Sequence, residues 1–182
     1  AAELAQVRGL QRAWILNDLE ASAHGLLVLE GADLVTLREG ESDPPGKGAP
    51  GNKVLCSPGT GLGTAALVWD GEHYHAVASE GGHATFSPLD ESDRKLAEYL
   101  ARRHGHVSWE RVLSGPGLLA LHEFERERRR TPDPPELAHA LRSGEGAAAI
   151  TRHALSGTCP EAERTLERFA HNMGVAASNL AL

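Results

Sequence analysis

Ser79 to Pro88 reads SEGGHATFSP. A carboxylate, Glu80, and an imidazole, His83, stand on either side of two glycines, just past a strand-like run. A carboxylate accepts two hydroxyl hydrogen bonds and an imidazole donates or accepts. That mixture suits a polyol, whose ring offers adjacent hydroxyls. The glycines strip side chains from the backbone between the two groups. Taken alone, an acid and a satisfied histidine in a glycine turn explain the stretch more simply. Glu110, in SWERVL, is a second carboxylate of this kind, with a solvated helix face as its plain alternative.

A second stretch, SPGTGLG, places three glycines and Thr60 in a hairpin loop. Exposed backbone N–H groups and a hydroxyl there can wrap phosphate oxygens, because the donors converge and no side chain intervenes. A plain glycine hairpin is the even alternative. Asn17-Asp18 is a third candidate. Such a pair between a strand and a helix usually caps the helix. At the crevice of an α/β sheet, the Asp can also accept a proton from a substrate hydroxyl. Other patterns fail on inspection. Gly46-Lys47 is followed by Gly48, not by the Ser or Thr of a P-loop. HEFER lacks the second histidine of HExxH, since position 126 is Arg. His73/His75 and His104/His106 have no third metal ligand at a sensible spacing, and all four are expected at the surface.

The elements that must position these groups follow from the chain's patterning. It has 182 residues, 41% hydrophobic and 24% charged, with net charge -7. That is a globular composition, and the acidic balance argues against nucleic-acid or anionic-membrane partners. The basic run Arg126–Arg130 reads as a solvated helix end. Cys56 and Cys159 match no zinc spacing and are expected as free thiols in a reducing compartment. No apolar run reaches transmembrane length. AAELAQVRGL has helical spacing, RAWIL reads as a short buried strand, and LEASAHGLLVL as a helix. Glu39–Asn52 is a Gly/Pro loop. KVLCSP, TAALVWD and EHYHAVASE form an antiparallel meander joined by GTGLG and by the Asp70-Gly71 turn. LDESDRKLAEYLARRHG is an amphipathic helix. SWERVL is a helical turn capped by Ser108, SGPG a turn, and LLALHEFERERRR a helix. TPDPPE interrupts the chain and starts another helical segment. The last helix should bury Leu166, Phe169, Ala170, Met173, Ala177 and Leu180. The fold class is α/β in the mixed α+β sense, with helices gathered after a small sheet.

Four stretches, LNDLEA, SPGTGLGTAALV, SEGGHATFSP and GHVSWERVLSGPGLLALH, occur in this order. Together they closely resemble the bacterial glucokinase family, ATP-dependent enzymes of the hexokinase/actin-like (ribonuclease H-like) fold. The resemblance covers nearly the whole chain and is weak at Glu39–Asn52 and around TPDPPE. It implies transfer of the ATP γ-phosphoryl group to the 6-hydroxyl of glucose, with Mg2+, in the cytoplasm, as the first step of glycolysis. It implies Asp18 as catalytic base, Asn17, Asp18, Glu80, His83 and Glu110 as sugar ligands, and Thr60 and Gly61 at the nucleotide phosphates. A homodimer is compatible with it. Residues 1–27 would be the tail of a smaller domain and 28–182 the larger one, incomplete at its C-terminus. A ROK-type hexose kinase ranks second, because no cysteine-rich zinc motif follows His83. A non-catalytic sugar-binding module is the rival from another class.

The chain departs from the family in lacking its first phosphate loop, DxGGT, and the Gly-rich segment that helps hold adenine. With AAELAQVRGLQRAWIL reading as the middle of something, a fragment of a longer protein is expected. Phosphoryl transfer needs donors on both sides of the phosphates, and these residues supply the GTGLG side. In a coupled ADP-release assay, glucose-dependent turnover is therefore expected from a protein extended at both ends and not from residues 1–182 alone. Clear turnover by the 182 residues would overturn that expectation.

Overall fold

The computed structural model describes residues 15–38 and 51–181, with Gln6, Arg8 and Gln11. The AAELAQVRGL helix apart from Gln6 and Arg8, Arg12–Trp14 of RAWIL and most of the Glu39–Asn52 loop lie outside the described residues. Ile15 and Leu16, the described end of RAWIL, are not in a strand. Two compact units are present, Ala1–Leu55 with Ala65–Ala78, and Cys56–Thr64 with Ser79–Leu182.

Three strands, β1 (Lys53–Pro58), β2 (Leu62–Trp69) and β3 (Tyr74–Ser79), pair in the order β1-β2-β3. The links Gly59–Gly61 and Asp70–His73 are too short for a crossover, so neighbours run antiparallel, as expected. The Asp70 turn is fixed by its own side chain. Its Oδ1 accepts from the N–H groups of Glu72 and His73 at 2.8 and 2.7 Å, and Oδ2 meets His75 Nε2 at 2.5 Å. Those bonds favour the ionised form and hold the Asp70 carboxyl well below the usual carboxylate range.

In the first unit, α1 (Asp18–Leu26) starts at Asn17, whose Oδ1 accepts from the N–H groups of Leu19 and Glu20 at 2.9 and 3.3 Å. These satisfy two of the orphan donors of a helix start. Ala23 of α1, Ala65 and Leu67 form a small core, with Leu19, Leu55, Tyr74 and Ala76 packed against it.

The second unit carries five helices among the described residues: α2 (Glu91–His104), α3 (Gly115–Arg129), α4 (Pro135–Ser143), α5 (Gly146–Leu155) and α6 (Pro160–Leu180). Its main core gathers Leu62, Phe86, Leu96, Leu100, Trp109, Leu113 and Phe124 with neighbours from α2, α3 and α6. A second core, around Leu118, Leu137, Ile150 and Ala162, joins α3 to α4, α5 and α6. Cys159 is buried and Cys56 half-buried, both as free thiols, and burial pushes the Cys56 thiol up.

Three local expectations are corrected. SGPG is the start of α3 and not a separate turn: Ser114 Oγ accepts from Gly117 N–H at 3.0 Å, and Pro116 occupies the first turn, where its missing N–H costs nothing. Ser108 stands at the start of the turn Trp109–Arg111 but makes no side-chain cap; it is buried and bridges to Thr85. The buried stripe of α6 is Ala162, Thr165, Asn172 and Ala176, with Phe169 and Met173 partly buried, while Ala170 is exposed. The polar members find backbone partners inside, although the Asn172 Oδ1 is buried without one. Thr165 Oγ1 donates to the Glu161 carbonyl at 2.7 Å, and Asn172 Nδ2 to the Arg168 carbonyl at 3.1 Å.

The basic run at Arg126–Arg130 is only partly solvated. Arg126 Nη1 donates to buried Asp133 at 3.0 Å, and Asp133 also meets buried His122 at 2.8 Å. The positive φ of Arg130, 55°, closes α3. Nearby, Arg168 of α6 donates to Asp93 and Glu125, each at 3.0 Å, and to Ser92 at 2.7 Å. Both carboxylates are buried, so this cation ties α2, α3 and α6 at one point.

Candidate active site

The segment after β3 is stitched to the segment after α2. Phe86 N–H donates to the Val107 carbonyl and Trp109 N–H to the Ala84 carbonyl, each at 2.9 Å, around the Thr85–Ser108 bridge. Phe86 and Trp109 meet edge to face beneath it, centroids 5.0 Å apart at 88°. This pairing fixes the turn Gly81–His83 beside the turn Trp109–Arg111.

Glu80, His83 and Glu110 are thereby brought together. His83 Nε2 lies 3.6 Å from Glu80 Oε2, and His83 Nδ1 lies 4.0 Å from Glu110 Oε1. Both separations exceed a hydrogen bond. The imidazole therefore stands between two carboxylates without being consumed by either. The Glu80 side chain is 86% exposed and His83 63%, whereas Glu110 is 32% exposed. Glu110 is the fixed member: its Oε2 accepts from Leu62 N–H at 3.1 Å.

The two glycines of the stretch serve packing. A Cβ on Gly82 would lie 2.2 Å from the Leu62 carbonyl oxygen and 3.1 Å from Leu62 Cβ. One on Gly81 would lie 3.0 Å from Thr64 Oγ1 and 3.3 Å from Ser79 Oγ. The turn can lie on the start of β2 because Gly82 carries no side chain, while a Cβ on Gly81 would press only on side-chain ends. Gly82 is buried, and this close approach accounts for its missing side chain. Thr64 Oγ1 donates to the Ser79 carbonyl at 2.9 Å, which closes the same corner.

The hairpin loop Gly59–Gly61 is held at its back. Gly59 N–H donates to the Gly61 carbonyl, and Gly115 N–H at the start of α3 donates to the Gly59 carbonyl, each at 2.8 Å. Thr60 is exposed. Among the described residues, its hydroxyl and the N–H groups of Thr60 and Gly61 have no hydrogen-bond partner. Thr60 and Glu110 share the lining of a cavity of about 150 Å³ with His104, Arg111 and Ser114. Sequence reasoning singles out none of these last three as site residues, although Arg111 and Ser114 lie inside the WERVLSGPG stretch. Asn17 and Asp18 stand in the other unit, at the start of α1. Both are exposed, and the Asn17 Oδ1 serves as the helix cap. His73, His75, His104 and His106 are all exposed.

The fold is similar to that of solved glucokinases. The structure superposes on the crystal structure of a glucokinase from an Antarctic psychrotroph with a TM-score of 0.79 at 29% identity, over 99% of this chain and 52% of that one. A glucokinase from Balamuthia mandrillaris in complex with glucose shares the fold at a TM-score of 0.69 and 23% identity, over 91% and 47%. The Glucokinase family model matches residues 1–182, and the chain belongs to the glucokinase family. A glucokinase of Nostoc sp. strain PCC 7120 is 35% identical over 98% of this chain and 55% of its own length. One of Neisseria meningitidis is 36% identical over 97% and 50%. The chain spans about half the length of the curated relatives it matches.

The Gly82 contact gives a direct test of the site's framework. A methyl group there meets backbone oxygen, which cannot swing aside. Gly82→Ala should lower stability by about 3 kcal/mol, the upper part of the range for forcing an extra carbon into a packed core. A urea titration should show a lower midpoint with an unchanged m-value. A wild-type midpoint would refute the close approach.

Proposed function

We propose that these residues form the sugar-holding part of an ATP-dependent glucokinase, which transfers the ATP γ-phosphoryl group to the 6-hydroxyl of glucose. The observation that carries this is the convergence of Glu80, His83 and Glu110 beside the Gly59–Gly61 loop. Two carboxylates and an imidazole accept from, and donate to, adjacent ring hydroxyls. The loop beside them offers a hydroxyl and backbone N–H groups to phosphate oxygens. Membership of the family supplies the reaction type, and the curated relatives are named glucokinases.

In this reading Asn17 orients the sugar and Asp18 takes the proton of the attacking hydroxyl. A hydroxyl is a poor nucleophile, so a carboxylate held against it raises its reactivity as it attacks phosphorus. Glu80, His83 and Glu110 fix the ring so that one hydroxyl alone is presented, and positioning of this kind supplies much of the barrier reduction. Thr60 and Gly61 receive charge spread over the phosphoryl oxygens. Closure of the two domains would exclude water, which otherwise competes as acceptor. Mg2+, when bound, neutralises phosphate charge. Among the described residues no group of three His, Cys, Asp or Glu side chains is placed to hold a metal ion. The metal enters the proposal with the nucleotide.

The same reading places the chain in the actin-like fold, assigns residues 1–27 to the smaller domain and 28–182 to the larger, and locates the enzyme in the cytoplasm, in glycolysis. The free state of Cys56 and Cys159 supports a reducing compartment. Among the described residues no helix is long and apolar enough to cross a membrane.

The test is made on a protein of the family's full length. Glu80→Gln keeps shape while weakening bonds accepted by a charged group, worth about 1.5–3 kcal/mol each. Titration calorimetry should show weaker glucose binding with affinity for an ATP analogue retained. Asp18→Asn should cut kcat by about two to four powers of ten, the range for loss of a general base, with a much smaller change in the glucose KM. Unchanged glucose affinity in the first variant, or near-wild-type kcat in the second, would refute the corresponding role.

A further inference from the structure

We infer that Gly61 is a positioning residue for the sugar ligand Glu110, so that the loop matched to nucleotide phosphates also sets the geometry of the sugar pocket. The inference rests on the reading of Glu110 as a hexose ligand and adds the means by which that ligand is held.

The Glu110 carboxylate lies over the Cα of Gly61. A Cβ built on Gly61 would fall 2.4 Å from Glu110 Oε2, 3.2 Å from Cδ and 3.9 Å from Cγ. The next residue, Leu62, donates its N–H to the same oxygen at 3.1 Å. One carboxylate oxygen is thus held by the backbone of the loop's end. The other, Oε1, is the one on the His83 side, 4.0 Å from Nδ1. Residue 61 does not require glycine for its backbone: its φ is not among the positive values found at Gly71, Gly105, Gly144 and Gly157. What requires glycine is the space the carboxylate occupies.

The contrast with Gly82 sharpens the inference. At Gly82 the obstacle is backbone, so a methyl group strains the fold. At Gly61 it is the far end of a flexible side chain, which can swing away. Gly61→Ala should therefore leave the fold intact, break the Leu62 N–H bond to Glu110, and turn the carboxylate out of its place.

Glucose affinity is measured by titration calorimetry without nucleotide, on a protein of the family's full length. The variants are Gly61→Ala, Glu110→Ala and the double variant, each with its melting temperature. Glu110→Ala and Gly61→Ala should each weaken glucose binding by about tenfold or more, the scale of one hydrogen bond to a charged group. The double variant should bind no more weakly than Glu110→Ala alone, because both changes remove the same contact. The melting temperature of Gly61→Ala should match wild type. If Glu110→Ala weakens glucose binding and Gly61→Ala does not, or if the two effects add, the positioning role is overturned and the sugar-ligand reading stands. If Glu110→Ala leaves glucose affinity unchanged, the sugar-ligand reading itself falls, and the inference with it.

Discussion

Leu62, the first residue of β2, carries three contacts that point in different directions. Its N–H holds the Glu110 carboxylate, its carbonyl and Cβ set the floor on which Gly82 lies, and its side chain enters the main core with Phe86 and Trp109. A residue used on every side cannot shift without moving the rest. The Gly81–His83 turn, the Trp109–Arg111 turn and the end of the hairpin loop are therefore referred to one backbone position. The Thr85–Ser108 stitching adds a second constraint on the same two turns. A ligand set drawn from residues 80, 83 and 110 can be specific only if such constraints exist, because a shift of about 1 Å in a positioning group is enough to cost most of its benefit.

Several glycines of the chemical motifs owe their identity to close approach rather than to backbone conformation. Gly61 admits a carboxylate, Gly82 admits the β2 backbone, and Gly117 admits the Val112 carbonyl, which a Cβ would meet at 2.5 Å. None of the three has a positive φ. The glycines that do, Gly71, Gly105, Gly144 and Gly157, sit in turns and at helix ends away from these contacts. Glycine in this chain thus has two separable uses, one at the chemical stretches and one at chain reversals.

Much of this architecture is legible in the sequence. The meander follows from three apolar runs with short Gly-rich links, and the grouping of Glu80, His83 and Glu110 follows from their place in the matched stretches. What escapes a local reading is whatever depends on contacts distant in sequence or on polar groups satisfied inside. Hydrophobicity alone misplaces the buried stripe of α6, because it cannot reveal that Thr165 Oγ1 and Asn172 Nδ2 donate to carbonyls one turn back. Ser114 is hidden as a cap because SGPG has the composition of a turn, and only the bond from Gly117 N–H distinguishes a helix start. The purpose of Gly82 is invisible locally because its partner, Leu62, lies at the start of β2, two strands earlier in the chain. The pairing of Arg168 with Asp93 and Glu125 joins residues 75 and 43 positions apart, and no local pattern signals it.

Glu80, His83 and Glu110 differ in how firmly they are held. Glu110 is anchored by a backbone donor and half-covered, while Glu80 and His83 are open to solvent and held only loosely by one another. An anchored carboxylate meets a hydroxyl with its rotamer already chosen. A free one must be ordered on binding, at a cost of about 0.5–1.5 kcal/mol for each immobilised side chain. The pocket thus combines one rigid reference point with two adaptable groups. Rigidity sits beside the hairpin loop, at Glu110. Adaptability sits on the exposed side, at Glu80 and His83. That division follows from the backbone, since Glu110 has the Leu62 N–H within reach, whereas no donor among the described residues forms a hydrogen bond to the Glu80 carboxylate, and the His83 N–H goes to the Glu80 carbonyl.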